Sequence, residues 1–186
     1  MRQVTVGTVI SAPRERVFDY VADISLRPSY CDHYLKDFRL ARANPVGVGA
    51  AASFLLDAPV FSDRGEIAIV VTNRPRQIAE EGRVGRRGRS RTVAIYDFIR
   101  EGPQTTRVEL TTFSDPTTFV DRFKQRRAHR WVRRQTKKSL ERLRRIFEEP
   151  QGAEPVRASV AAWEGATAPR FGGRVTGREK AASGER

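Results

Sequence analysis

The chain opens on an alternation of polar and β-branched residues over Val4–Ile10, the two-residue period of a half-buried strand. Ser11-Ala12-Pro13-Arg14-Glu15 then predicts a helix start. Ser11 suits the cap, Pro13 the first turn, and Glu15 the positive end of the helix dipole. Val17, Phe18, Val21 and Ala22 follow at helical spacing as a buried stripe. Asp23-Ile24-Ser25 interrupts the stripe, and a second short helix is expected over roughly Leu26–Cys31, with Pro28 blurring its limits.

From there the pattern turns to strands. Leu35–Arg42, Ala50–Leu56, Glu66–Thr72, Gln77–Val84, Thr92–Ile99 and Arg107–Phe113 are separated by turn-forming clusters. Those clusters are Asn44–Gly49, Ala58-Pro59, Asn73-Arg74-Pro75, Gly85–Gly88 and Glu101-Gly102-Pro103, and they make the six strands an antiparallel meander. Asp115-Pro116-Thr117 predicts another helix start, with a helical pattern to about Phe147 and a stop at Pro150. The order is therefore α+β: strand, two short helices, six-stranded antiparallel meander, long C-terminal helix. A strongly bent sheet cannot bury its concave face on itself, so the final helix is expected to fill it around an apolar pocket. Residues 1–148 are read as this ligand-binding domain. Residues 149–186 lack periodicity and are read as a disordered basic tail, with Trp163 and Phe171 as its large apolar docking points.

Strand phase follows from the turns. If Val71 pairs with Ile78, then Ile69 pairs with Glu80; if Phe98 pairs with Val108, then Tyr96 pairs with Leu110 and Ala94 with Thr112. Directly opposed residues share a face. This places Ile67, Ile69, Val71, Ile78, Tyr96, Phe98, Val108 and Leu110 on one apolar face, with Glu66, Glu109 and Thr111 on the other. Phe38, Leu40, Phe54 and Leu56 are assigned to the inner face as well. Glu80 is the exception. Aimed inward, its carboxylate would bind a polar group of a ligand, pair with an arginine, or sit neutral with a raised pKa. The ordinary alternative is a one-residue register error or a bulge. Tyr96 and Thr112 are milder polar candidates.

The long helix carries a second irregularity. Ala128, Val132, Thr136, Ser139, Leu143 and Ile146 or Phe147 form one stripe, but Phe119, Val120 and Phe123 fall on nearly the opposite side. A kink or break near Gln125–Arg127 would let both segments face the core. Alternatively the three form an apolar lip at a pocket mouth, beside basic residues that would touch an anionic membrane.

Charge sharpens that picture. The net charge is +13, and residues 116–149 hold 12 basic and 4 acidic residues, against 17 and 14 in residues 1–115. A basic face suits nucleic acid, anionic lipid or an acidic protein. Only five of the 35 basic residues are lysines, a mixture that codon bias in a GC-rich genome also produces. The basic patch comprises Arg83, Arg86, Arg87 and Arg89 around one hairpin turn and Arg126, Arg127, Arg130 and Arg134 on the helix. Aromatic residues are not interleaved in that turn, which weakens a nucleic-acid reading.

The lone cysteine, Cys31, allows no disulfide framework. The N-terminus lacks the pattern of a signal peptide, and no stretch approaches the ~18 apolar residues of a membrane span. A soluble cytoplasmic protein is expected. His33 and His129 lie far apart in sequence, no His/Cys cluster has metal-ligand spacing, and no metal or cofactor is implied. PVGVG lacks the Lys-Ser/Thr ending of a phosphate loop.

Several segments carry a family resemblance. VTVGTVISAPRERVFDYVADISLRPSY, the PVGVG turn and YDFIREGPQTTRVELTT resemble the START-related superfamily of polyketide cyclases, lipid-transfer domains and the birch-pollen allergen. Tyr30 stands near a position where that family often has tryptophan. The resemblance spans about residues 4–147. It implies a helix-grip fold and, because such a fold hosts binders, carriers and enzymes alike, several functions. The first reading is a non-catalytic carrier or sensor of an apolar small molecule, such as a lipid, polyketide or isoprenoid. Its expected pocket comprises Phe38, Leu40, Phe54, Leu56, Ile69, Val71, Ile78, Glu80, Tyr96, Phe98, Leu110, Thr112 and Val132. The second is a cyclase or dehydratase using Glu80, Tyr96 and His33 as acid–base groups. The third is a membrane-surface or nucleic-acid-binding module built on the basic helix.

Overall fold

The computed structural model describes residues 2–59, 61–85, 90–115, 119–149 and 155–160, with side chains outside that description at 2, 61, 115 and 119–129. Strand β1 (Arg2–Ile10) leads into helix α1 (Arg14–Ala22), a single 3-10 turn (Ile24–Leu26) and helix α2 (Pro28–Cys31). Strands β2 (Leu35–Leu40), β3 (Ala51–Ala58), β4 (Phe61–Asn73), β5 (Gln77–Val84), β6 (Ser90–Gly102) and β7 (Thr105–Asp115) follow, and helix α3 (Phe119–Glu148) closes the series. All seven strands form one antiparallel sheet in the order β1-β7-β6-β5-β4-β3-β2. The first strand thus pairs with the last, and the meander runs back to β2 at the opposite edge. This is the helix-grip arrangement the segment order predicts.

The start of α1 departs from expectation. Pro13 occupies the cap position with no side-chain cap, while Glu15 does lie in the first turn. Ser11 is used elsewhere: its amide and hydroxyl both donate to Glu148 Oε1, at 3.2 and 3.1 Å. The serine therefore ties the end of β1 to the last residue of α3. Asp23 is the side chain that caps, accepting from the Ser25 amide at 3.0 Å and opening the 3-10 turn.

The β6–β7 register is as predicted, with Phe98 opposite Val108, Tyr96 opposite Leu110 and Ala94 opposite Thr112. The β4–β5 register is corrected near its turn. Ile69 does face Glu80, but Val71 faces Ala79 and Thr72 faces Ile78. One extra residue between Ile69 and Val71 bulges β4, and such an insertion reverses the side-chain phase beyond it. Val71, expected in the pocket, is consequently 45% exposed.

The core gathers the inner face of the sheet with α1, α2 and α3. Ile10, Ile69, Ile78, Phe98, Val108 and Leu110 pack with Val17, Phe18, Tyr30, Leu140 and Leu143 in one cluster. From position 130 onward the predicted α3 stripe faces inward: Thr136, Ser139 and Leu143 are buried, and Val132, Ile146 and Phe147 are half-buried; Leu140, outside that stripe, is buried as well. The backbone is helical through 125–127, without a break there. The side chains of Phe119, Val120 and Phe123 lie outside the described residues. Much of the predicted tail does too, Trp163 and Phe171 included, but residues 155–160 bond to the domain rather than standing apart.

Candidate functional site

Glu80 faces inward from the middle of the sheet and is 3% exposed. The bulge that disturbs β4 lies on the turn side of Ile69, so the pairing that aims Glu80 at the interior survives it. A lone carboxylate there would be costly to bury. It is matched by Arg27, which follows the 3-10 turn and is equally buried. Arg27 Nη2 pairs with Glu80 Oε1, and Nη1 donates to Glu80 Oε2 at 3.3 Å and to the Tyr96 hydroxyl at 2.5 Å. The guanidinium carbon also lies over two rings, 5.6 Å from the centroid of Tyr30 and 5.2 Å from that of Tyr96. Arg27 Nε and the Tyr30 hydroxyl are buried with no hydrogen-bond partner among the described residues.

Electrostatics follow from this packing. Burial, the largest single influence, works to lower the Arg27 pKa, but the Glu80 carboxylate acting with Tyr30, Tyr96 and Cys31 outweighs it, and the pKa ends well above the ordinary value. Tyr30, Tyr34 and Tyr96 are pushed well above the usual phenol range by burial, with the Arg27 charge pulling the other way. All three phenols are therefore neutral donors near neutral pH. Burial also raises the Cys31 thiol, which lies 3.6 Å from the Ser139 hydroxyl. It behaves as a small packed side chain rather than a nucleophile.

The structure thus joins two of the three acid–base candidates, Glu80 and Tyr96, through an arginine that sequence reasoning left without a role. A positive charge set between Leu26 and Pro28, inside an otherwise apolar segment, was the available signal. His33 is engaged elsewhere. Its Nε2 donates to the Gln135 carbonyl at 3.3 Å, and its Nδ1 accepts from Arg142 Nη1 at 3.3 Å, which fits the neutral ring. Burial holds its pKa below the ordinary value.

The predicted lining divides into two zones. Phe38, Leu40, Phe54, Ile69, Ile78, Tyr96, Phe98 and Leu110 are buried. On the same inner face Val4, Leu56, Ile67, Val84, Ala94 and Thr112 stay half-buried. The row Val4–Thr112–Ala94–Glu80–Ile69 crosses from one zone to the other, and Glu80 sits at the boundary. Gly65 and Gly82 belong to this face as well. A Cβ at Gly65 would meet the Phe54 ring at 2.6 Å, so that ring lies flat over the strand.

The basic patch separates. Arg83 projects from the outer face of β5, where it borders a groove of about 640 Å³ with Glu66, Glu81 and Arg91. Arg130 and Arg134 are exposed on α3, which packs over the inner face, so the two groups lie on opposite sides of the sheet. Arg86, Arg87 and Arg89, and the side chains of Arg126, Arg127 and His129, lie outside the described residues. Among the described residues no three His, Cys, Asp or Glu side chains gather to hold a metal, and no helix is long and apolar enough to cross a membrane.

Comparison with known proteins agrees with this architecture. Residues 1–148 match the family described as polyketide cyclase / dehydrase and lipid transport. The chain is similar in structure to the protein TTHA0849 of Thermus thermophilus, at 18% identity and a TM-score of 0.64, over 79% of this chain and 97% of that one. It is also similar to the Zhui aromatase/cyclase from Streptomyces sp. R1128, at 14% identity and a TM-score of 0.63, over 79% and 93%. A third likeness is to DynU16, a protein in the dynemicin biosynthetic locus, at 14% identity and a TM-score of 0.55, over 83% and 49%. Among curated proteins, none matches the sequence.

Proposed function

Because the chain belongs to the polyketide cyclase/dehydrase and lipid-transport family, we propose that it binds an apolar small molecule between the concave face of its sheet and α3. A lipid, polyketide or isoprenoid fits this class. The observation that carries the reading is the split in burial along the inner face. Leu56, Ile67, Val84, Ala94 and Thr112 point to the same side as the packed core yet remain half-buried. An apolar wall with a small number of convergent polar groups is the usual form of a small-molecule site. Here the polar group is Arg27–Glu80–Tyr96. Arg27 Nε and the Tyr30 hydroxyl are its uncommitted donors, suited to a carbonyl, carboxylate or hydroxyl oxygen on the ligand. The three side chains hold one another, an arrangement suited to binding rather than to moving protons. A cytoplasmic carrier or sensor is the role assigned.

Native mass spectrometry of the full-length protein, before and after organic extraction, tests this reading. A copurifying apolar compound is expected, together with saturable uptake of 1-anilinonaphthalene-8-sulfonate by the extracted protein. Ala94→Trp, which fills the half-buried zone, is expected to remove that uptake and leave the fold intact. The reading fails if the extracted protein takes up no probe, or if Ala94→Trp takes it up as well as wild type.

A cyclase or dehydratase is the second reading. The fold likeness to the Zhui aromatase/cyclase and the 2.5 Å contact from Arg27 to the Tyr96 hydroxyl support it, since a held phenol can polarise a ligand carbonyl. It requires that Tyr96→Phe and Glu80→Gln change the products formed from a linear polyketide. An unchanged product profile in both variants sinks it. For a partner, the cations Arg130, Arg133, Arg134 and Lys138 on α3 are assigned to an anionic membrane surface rather than to nucleic acid. Salt-sensitive binding to phosphatidylserine vesicles, and not to duplex DNA, is the expected result.

A further inference from the structure

The family match ends at residue 148, yet the chain returns to the domain beyond it. The Ala158 amide donates to the Ser25 carbonyl at 2.7 Å, and the Leu40 amide donates to the Ser159 carbonyl at 3.0 Å. Leu40 and Val160 form a parallel bridge. Arg157 Nη1 donates to Asp23 Oδ2 at 3.1 Å and to the Ser25 hydroxyl at 3.2 Å. Ala158 packs against the core. Strand β2 is an edge of the sheet, with backbone groups on its free side that need a partner. Segment 155–160 supplies one.

The receiving surface is connected to the buried ion pair by a single turn. Asp23 Oδ1 accepts from the Ser25 amide and hydroxyl, at 3.0 and 2.5 Å, while its Oδ2 takes Arg157. The turn over 24–26 ends at Arg27, whose amide donates to the Ile24 carbonyl at 3.2 Å. One turn is therefore gripped from outside by Arg157 and Ala158, and from inside by the Arg27 contacts to Glu80 and Tyr96.

We propose that the β2 edge and the 24–26 turn form a docking surface for the chain's own segment 155–160, and that docking clamps the turn carrying Arg27. The tail then sets how firmly Arg27 is held at the boundary between the packed and half-buried zones. The Arg157 side chain is 59% exposed, and few bonds hold the segment, so docking is reversible and can be displaced without unfolding the sheet. The inference does not depend on what the concave face binds.

Amide hydrogen exchange on the full-length chain tests it. Arg157→Glu sets a carboxylate against Asp23, and Ala158→Pro removes the donor to Ser25. Each is expected to speed exchange of the Leu40 amide and of the hydrogen-bonded amides of Leu26, Arg27, Tyr30 and Cys31 by about fivefold or more, with β6 and β7 unchanged. Arg157→Lys should keep most of the protection. Arg133→Glu, the same charge change on α3, should alter none of these amides. The proposal is overturned if Leu40 speeds up while Leu26, Arg27, Tyr30 and Cys31 keep wild-type protection, or if neither responds. Should Ala158→Pro lose protection throughout, Arg157→Glu decides, because its exposed side chain carries no core packing.

Discussion

Arg27 and Glu80 meet as a two-pronged ion pair inside the domain, with side chains 3% and 4% exposed. They come from the residue after a 3-10 turn and from a central strand, 53 residues apart. Two charges removed from water repay their desolvation only when the geometry is good and both stay present. Arg27→Met or Glu80→Leu alone is therefore expected to destabilise the fold by about 3–5 kcal/mol, because each strands the opposite charge. The double variant should recover most of that loss. Urea denaturation of the four proteins checks this, and strictly additive losses would contradict it.

Tyr96 accepts from Arg27 at 2.5 Å and is itself buried. Tyr96→Phe removes the acceptor but leaves Arg27 on Glu80. A hydrogen bond to a charged group is worth about 1.5–3 kcal/mol, which sets the expected loss in urea unfolding. The ring's contact with Arg27 should survive, so the variant is expected to remain folded.

His33 confers a pH dependence whose sign can be worked out. Burial holds its folded pKa below the ordinary value; the Arg142 and Lys138 charges add to that, while the Gln135 carbonyl and Asp32 oppose it. The unfolded chain then takes up a proton near pH 6.5 while the folded chain resists. Stability tracks the excess of protons on the unfolded state, so it should fall as pH drops below about 6.5 and level off beneath the folded pKa. The urea midpoint at about pH 7 and pH 5.5 measures this, and His33→Gln should flatten the difference.

Gly82 lies in β5 where neighbouring strands approach closely. A Cβ there would stand 2.7 Å from the Glu66 carbonyl oxygen and 2.8 Å from the Thr92 hydroxyl. Backbone cannot step aside as a side-chain tip can, so Gly82→Ala is expected to cost about 1–3 kcal/mol. Thermal or urea unfolding checks it. Gly47→Ala tests a different cost, since nothing lies within 4 Å of its added Cβ and only its φ of +87° opposes the change.

How far the site could be read from the chain depends on the distance of each contact in sequence. The β6–β7 face was legible because a short hairpin turn and an alternating pattern define the pairing of Phe98 with Val108 together. Glu80 was aimed inward by a pairing of Val71 with Ile78 that the bulge overturns, and only the step from Ile69 to Glu80 matches the observed register. Val71 was not, because a bulge obeys the strain of the bent sheet rather than the alternation of residue types. Ser11 reads as a helix cap to any local rule, and only the arrival of Glu148 shows that it ties two chain segments together.

A family resemblance lay in the motifs of the first 30 residues and the hairpins. The sequence by itself also determined the order of elements and, outside the β4 bulge, the apolar side of the central strands. These rest on periods of two and 3.6 residues and on turn chemistry, all of which act over a few positions. Tertiary structure alone decided that Arg27 answers Glu80, that Ser11 serves Glu148, and that residues 155–160 clasp the turn beside Arg27. Each of these joins groups separated by more than 50 residues, where sheet curvature sets which side chains meet and the cost of an unpaired buried charge demands that they do.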